Sequence, residues 1–240
     1  MKAETQVKHL KISRDVIAVN ILGIIVIGLF ALICLFPFYL IIVASFTNEN
    51  ALIRNGFPIV FQLKNAGLEA YKLCLKAPGD IINAYLITGS ATIIGTCLSV
   101  LISTMTGYVL SRKDFPWRNK FSFFFFFTTL FNGGLVPWYL ICVRYLHLKN
   151  SYLALILPLL FSVWNMIIAK SFMAGVPASI SESAMLDGAN DIQIYIRLIL
   201  PLSKPLVATL ALFSALSYWN DWYNCMLYIT NEKMFTLQYY

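Results

Sequence analysis

Glu182-Ser-Ala-Met-Leu-Asp187-Gly188-Ala-Asn-Asp191, continued through Ile192, Tyr195 and Ile196 to Leu200-Pro201, is a polar, gently amphipathic stretch lodged between two long apolar runs. A chain that only had to reverse direction there would use a short loop. Here residues 174–204 are given over to a segment of helical period. Pro177 and Ser179 open a first short helix, and Ser179-x-x-Glu182 has capping-box spacing, which satisfies exposed amides at a helix start. Asp187-Gly188 closes it, because glycine takes the left-handed conformation after a helix end without strain. Asn190 or Asp191 caps a second helix that places Ile192, Tyr195, Ile196 and Ile199 on one face. Leu200-Pro201 stops that helix. From the residues alone, the segment reads equally as an interfacial linker and as a part built to be gripped by a partner.

What flanks the insert sets the class. The chain has 240 residues, 59% hydrophobic and 12% charged, with a mean hydropathy of +0.73. Soluble domains carry roughly a quarter charged residues. Val16 to Asn48, Ile81 to Ser111, Phe121 to Val143 and Asn150 to Ala169 contain no Asp, Glu, Lys or Arg. A fifth run, Pro205 to Asn220, is interrupted by Asp221 and resumes to Asn231. Roughly 20 mainly apolar residues cross the hydrocarbon core, so five crossings follow. They are helices, since lipid cannot satisfy an open strand edge. The fold class is all-α integral membrane protein. The first run is too long for a cleaved signal and stays as an anchor, with Pro37 a kink inside it.

The net charge of +7 is orientation and lipid-headgroup contact rather than a nucleic-acid footprint. The short segment 111–120 carries Arg112, Lys113, Arg118 and Lys120, which places it, and with it the N-terminus, inside. The organisation expected is a cytoplasmic tail over 1–15, a first span with an outer loop over 16–80, and a core over 81–240 holding the insert at 174–204. Pro78-Gly79 reads as a turn ending the outer loop. The five cysteines show no metal spacing and no disulfide framework, and no metal site is expected.

Within the runs, a few polar groups stand out. Asn132-Gly-Gly-Leu-Val-Pro137 frees backbone groups, either as a kink near the outer interface or as a break facing protein or a cavity. Asn165, mid-run, is interhelical glue or pathway lining. Asn220 and Asp221, inside Tyr218-Trp-Asn-Asp-Trp-Tyr-Asn224, sit at an aromatic interfacial belt or contact a solute or partner. Asn132, Asn165, Asn220 and Asp221 are thus candidates for a solute path. No catalytic constellation is present, and no Walker-type loop for ATP.

Glu182-Ser183-Ala184, three residues, Gly188, nine residues, then Leu198-Ile-Leu200-Pro201 resembles the EAA signature of ABC importer permeases, with Ser183 and Leu198 as mild departures. Asp187 before the glycine resembles the carbohydrate branch. Asn132 to Pro137, Leu157-Pro158, Trp164-Asn165, Leu200 to Pro205 and Trp219-Asn220 are similar to the maltose-type family, closest to oligosaccharide and polysaccharide members, including alginate-type and lipoprotein-linked systems.

The resemblance implies a type I ABC importer transmembrane fold in a bacterial cell membrane, with five of six spans present and the sixth missing at the C-terminus. It implies a permease for a carbohydrate delivered by an extracytoplasmic binding protein. The other partners are a second permease and two copies of an ATPase, which would hold ATP and Mg; no cofactor is expected in this chain. Glu182, Ser183, Ala184, Asp187, Gly188, Leu198, Leu200 and Pro201 would form the coupling segment: Glu182 meeting a basic ATPase residue, Ala184 allowing close approach, Gly188 shaping the turn. A permease for amino acids or peptides is the alternative, and an ion-coupled carrier or a membrane enzyme lies further off, since the runs lack buried charge pairs.

Overall fold

The computed structural model describes residues 14–60, 62–76 and 78–240. Among them the architecture is helical, with one isolated antiparallel bridge between Thr47 and Ala66. The basic tail expected over 1–15 lies, up to residue 13, outside the described residues. The chain divides into two compact units at Ala77/Pro78.

The first unit is led by α1 (Arg14–Ser45), which continues through Pro37. Its apolar stretch Val19–Ser45 is long enough to cross a membrane, and Val43 near its end is buried. Two short helices follow, α2 (Glu49–Asn55) and α3 (Glu69–Cys74). The Asn48 side chain caps α2 by accepting from the Asn50 amide at 2.9 Å.

The second unit is organised on α4 (Pro78–Ser111). Pro78 and Gly79 are the first residues of this helix rather than the turn expected. Proline at the first helical position loses an amide that would have had no partner, and its φ already suits the helix. Ala84, Thr88, Ala91, Gly95, Ser99, Ser103 and Gly107 recur at helical spacing and make one buried face of small residues. Against it pack α7 (Val163–Met173) and α11 (Lys204–Trp219). The approach is tight. A Cβ on Gly95 would lie 2.4 Å from the Tyr218 ring, and one on Gly107 would lie 2.5 Å from Cβ of Ala169. Asn165 Nδ2 of α7 donates to Ser214 Oγ of α11, which donates to Ser99 Oγ of α4, each at 3.3 Å.

Between α4 and α7 runs a broken segment. α5 (Arg118–Leu130) and α6 (Leu135–Leu140), the latter prolonged by a π-turn over Ile141–Tyr145, meet at 113°. The run Phe121 to Val143 is therefore not one straight crossing. Gly134 sits at φ +84°, where a side chain would strain the backbone, and Asn132 Oδ1 accepts from its amide at 2.9 Å. Thirteen helical residues in α5 reach about 20 Å, short of the roughly 30 Å core. The fourth run likewise opens in 3-10 turns, Tyr152–Leu155 and Leu157–Leu159, which meet α7 at 49°. Two helices are long and apolar enough to cross a membrane unbroken, and five spans result if each bent pair counts as one.

After α7 come α8 (Ala178–Leu186), α9 (Asp191–Ile194), a π-helical turn over Tyr195–Ile199, α10 (Leu200–Leu202), α11 and α12 (Tyr223–Tyr228). The core forms two clusters. One gathers Tyr108, Met173, Ala184, Ile194, Tyr195, Ile199 and Leu206. The other gathers Ala91, Cys142, Leu155, Cys225 and Tyr228. Tyr108 and Ala91 both lie on α4, about 25 Å apart at helical rise, so the clusters occupy opposite ends of the bundle.

Candidate functional site

The polar insert folds into a knuckle of two helical pieces at the Ser111 end of α4. α8 begins directly after Pro177, whose ring fixes φ at −58° and which offers no side-chain acceptor. Ser179 is consequently already inside the helix, and the capping box expected at Ser179 and Glu182 does not form. The reciprocal cap occurs one helix later. Asn190 Oδ1 accepts from the Gln193 amide at 2.9 Å, and Gln193 Oε1 accepts from the Asn190 amide at 3.0 Å.

The turn between the two pieces is closed as the sequence anticipates. Gly188 sits at φ +84°. Its amide donates to Met185 O at 3.0 Å and the Ala189 amide donates to Ala184 O at 2.9 Å, the paired bonds of a Schellman ending. Asp187 occupies the C-cap.

The apolar face of the second piece differs from the one expected. Ile194, Tyr195 and Ile199 are buried, while Ile192 and Ile196 are 66% and 54% exposed. The wider π-turn over Tyr195–Ile199 changes the phase, so a constant helical period mixes inward and outward residues. Ser203, buried at an 84° bend, rather than Pro201 marks the passage into α11.

Three groups of α4 hold the knuckle. Thr104 Oγ1 and Tyr195 Oη share a buried hydrogen bond of 2.8 Å. The rings of Tyr108 and Tyr195 lie 5.5 Å apart. Arg112, just past the helix end, bonds Asp114 with Nε and Nη2 and Asp191 with Nη1. The Arg112 guanidinium holds the Asp114 carboxyl below the usual carboxylate range, and the Asp114 and Asp191 carboxylates push the arginine itself up. None of these α4 groups stands out in the sequence, where Arg112 reads only as orienting charge.

The candidate coupling residues divide by exposure. Glu182, Ser183, Asp187 and Gly188 are exposed, as is Pro201. Leu186 is 90% exposed, an apolar side chain that sequence reasoning passed over. Ala184 is buried in the chain's own cluster with Ile194 and Tyr195, so the close approach its small size allows is that of α8 to the bundle. Leu198 and Leu200 are half-buried against the same cluster. A cavity of about 480 Å3 lies between the end of α4 and α8, walled by Tyr108, Arg112, Asp114, Val176, Ser181 and Glu182 among others.

The four polar candidates of the apolar runs lie apart from the knuckle. Asn165 is buried and bonded across the helices, as glue would be. Asn132 is exposed and stabilises the Gly134 turn. Asn220 closes α11, donating to Leu216 O at 2.9 Å and accepting from Gln238. Asp221 accepts from the backbone and side-chain amides of Asn224 at 3.1 and 2.9 Å. No hydrogen bond among the described residues joins Asn132, Asn165 and the Asn220–Asp221 pair.

Residues 99–223, which include the whole knuckle, match the model of the family described as "Binding-protein-dependent transport system inner membrane component". The chain is 38% identical over 211 residues to a polygalacturonan/rhamnogalacturonan transport system permease protein of Bacillus subtilis, covering 88% of this chain and 72% of that one. It is 32% identical over 232 residues to a trehalose/maltose transport system permease protein of Thermococcus litoralis, covering 93% and 81%. Among solved structures it is similar, at 28% identity and a TM-score of 0.82, to a bacterial ABC transporter involved in the import of the acidic polysaccharide alginate, covering 95% of this chain and 80% of that one.

Proposed function

The chain belongs to the family of binding-protein-dependent transport system inner membrane components, and from that premise we propose that it is the permease subunit through which an ATP-driven importer takes up an oligosaccharide. It has the helical transmembrane fold of type I ABC importers. The solute reading draws on relatives that carry polygalacturonan, arabinooligosaccharides and trehalose or maltose, and on a structural neighbour that imports alginate. Two of these are uronic-acid polymers, so oligogalacturonides and oligoalginates are the first solutes to test.

The observation that carries the coupling role is the exposed face of α8. Glu182, Ser183, Leu186 and Asp187 point away from the chain, and Arg112, Tyr195 and the Gly188 turn fix that face to α4. A short helix held rigidly can transmit a push along the bundle. In this reading two copies of an ATPase, supplied with ATP and Mg, each grip a coupling knuckle, one of them from a second permease. Closure of the ATPase pair then switches the permeases between inward- and outward-facing states, because its contacts differ between the two. A binding protein delivers the solute from outside. The positive segment 111–120 and the knuckle share one end of the bundle, which in this reading is cytoplasmic. ATP is hydrolysed in the partner, not in this chain. Asn220 and Asp221, beside exposed Trp219, Trp222 and Tyr223, offer amide, carboxylate and aromatic surface of the kind a sugar uses, and Asn132 lies at the α5–α6 break.

The test is uptake by proteoliposomes holding both permeases and the ATPase, with the binding protein added outside. ATP-dependent accumulation of a labelled oligogalacturonide or oligoalginate, and not of labelled amino acids or dipeptides, is the expected result. Accumulation of an amino acid or peptide instead would overturn the solute class. In vesicles holding the permeases without the ATPase, and with Cys34, Cys74 and Cys97 replaced by serine, Ser183→Cys should react with an impermeant maleimide from the side that the ATPase binds, which reads the orientation independently.

A further inference from the structure

The corner where α4 turns into α5 has features that coupling does not use. A groove of about 320 Å3 runs between the two helices, walled by Met105, Val109 and Leu110 of α4 and by Phe115, Phe121 and Phe125. Met105, Val109 and Phe121 are 45%, 43% and 47% exposed, and the rings of Phe115 and Phe121 stack at 6.0 Å. No residue of α5 is buried. So apolar a channel attracts a hydrocarbon tail rather than water.

Beside it stand cations without a carboxylate. Ion pairs among the described residues join Arg112 to Asp114 and to Asp191. Asp114, the acid within the segment 111–120, is therefore taken up by Arg112. Among the described residues Arg118 and Lys120 have no acidic partner, and Lys113, likewise unpaired, lines the cavity beside α8 instead. Arg118 Nη1 reaches only the Arg112 carbonyl, at 3.5 Å. Lys120 Nζ stands 4.4 Å over the ring of Trp117, which is 53% exposed. The first turn of α5 contains no acidic residue to offset Arg118 and Lys120. Arg118 stands one and two turns before Phe121 and Phe125 on the same side of α5, so an unpaired cation and an amphipathic indole adjoin the apolar groove and complement a molecule with an anionic head and a hydrocarbon tail.

We propose that the α4–α5 corner is a binding site for an anionic phospholipid of the inner leaflet, its phosphate held by Arg118 and Lys120 and an acyl chain lying along Val109, Met105 and Phe125. A zwitterionic lipid brings its own cation to the same place and binds less well. A helix of another subunit would fit the groove but would have to supply acids facing two cations. The proposal rests on the orientation given above, which the Ser183→Cys labelling tests separately. Lost lipid selectivity with that orientation intact therefore counts against this site alone.

The experiment is lipid retention by the assembled transporter. The complex is extracted with mild detergent from vesicles of equal phosphatidylcholine and phosphatidylglycerol, and the lipid that stays bound is quantified. Phosphatidylglycerol should be enriched, with Arg118→Gln and Lys120→Gln each lowering the enrichment about fivefold. Val109→Trp fills the groove and keeps every charge, and it too should lower the enrichment, whereas glycerophosphoglycerol, the headgroup without tails, should not compete. Equal retention of the two lipids would overturn the proposal. So would an enrichment that Val109→Trp leaves unchanged, which is a charge atmosphere without a site. With the exposed Cys34, Cys74 and Cys97 replaced by serine, a Val109→Cys complex that fails to react with a phospholipid bearing a maleimide on its acyl chain would mean that protein covers the groove, and would overturn it as well.

Discussion

The guanidinium of Arg112, just beyond the end of α4, bonds the carboxylate of Asp191, the first residue of α9, across 79 positions of sequence. With the Thr104–Tyr195 bond it ties the knuckle to α4 at two points. Asp191 is 67% exposed, so the pair adds under about 1 kcal/mol to stability. Asp191→Asn should accordingly leave the melting temperature within about 4 °C of wild type. The ratio of solute carried to ATP hydrolysed should fall severalfold, because the lever loosens while the ATPase still turns over. Proteoliposome uptake measured beside phosphate release checks this.

Glu182 is exposed and has no hydrogen bond or ion pair among the described residues. Reversing its charge costs the chain itself about 0.5 kcal/mol or less. Glu182→Lys should insert in the membrane as wild type does, yet co-purify with the ATPase at least about tenfold less well and lose uptake. Undiminished co-purification with normal transport would remove the coupling assignment.

At Gly188 a Cβ would meet nothing within 4 Å, so any penalty comes from the φ of +84° alone. Gly188→Val should cost about 1–2 kcal/mol and misdirect α8, whereas Gly188→Asn, which tolerates that conformation, should keep most activity. Comparing uptake of the two variants at equal expression separates backbone strain from lost space.

The contact of Gly107 with Ala169 tests packing in the opposite way. A Cβ there would stand 2.5 Å from Ala169 Cβ and 2.9 Å from the Lys170 amide nitrogen. Gly107→Ala should destabilise by about 1–3 kcal/mol. Ala169→Gly in the same chain should restore part of that, read by thermal melting in detergent.

The Asp114 carboxyl, held below its usual range by Arg112, gives the clamp its pH dependence. A group whose folded pKa is depressed contributes stability above its unfolded value and loses it as pH falls through the folded one. No change in the clamp is expected between about pH 5 and 8. Hydrogen exchange over 187–194, corrected for intrinsic rates, should differ between wild type and Asp114→Asn at neutral pH. The two should converge only as pH falls through the depressed folded value, below the ordinary aspartate range.

Much of this protein is written in local sequence. Charge-free runs declare membrane helices because each residue there meets lipid or apolar neighbours, whatever its exact partner. The Gly188 turn is legible for the same reason: a Schellman ending is made within six residues and needs one backbone conformation that glycine supplies. The spacing from Glu182 to Pro201 identified the family before any contact was known. What required the folded chain is whatever depends on residues far apart. The break at Gly134 is visible as glycine and proline, but its 113° angle is set by packing on both sides. The π-turn at Tyr195 slips the helical phase because Tyr195 must reach Thr104 and Tyr108, so the buried face could not be read from a fixed period. Arg112 is one cation among many in sequence, and only tertiary structure places it against a carboxylate 79 residues later.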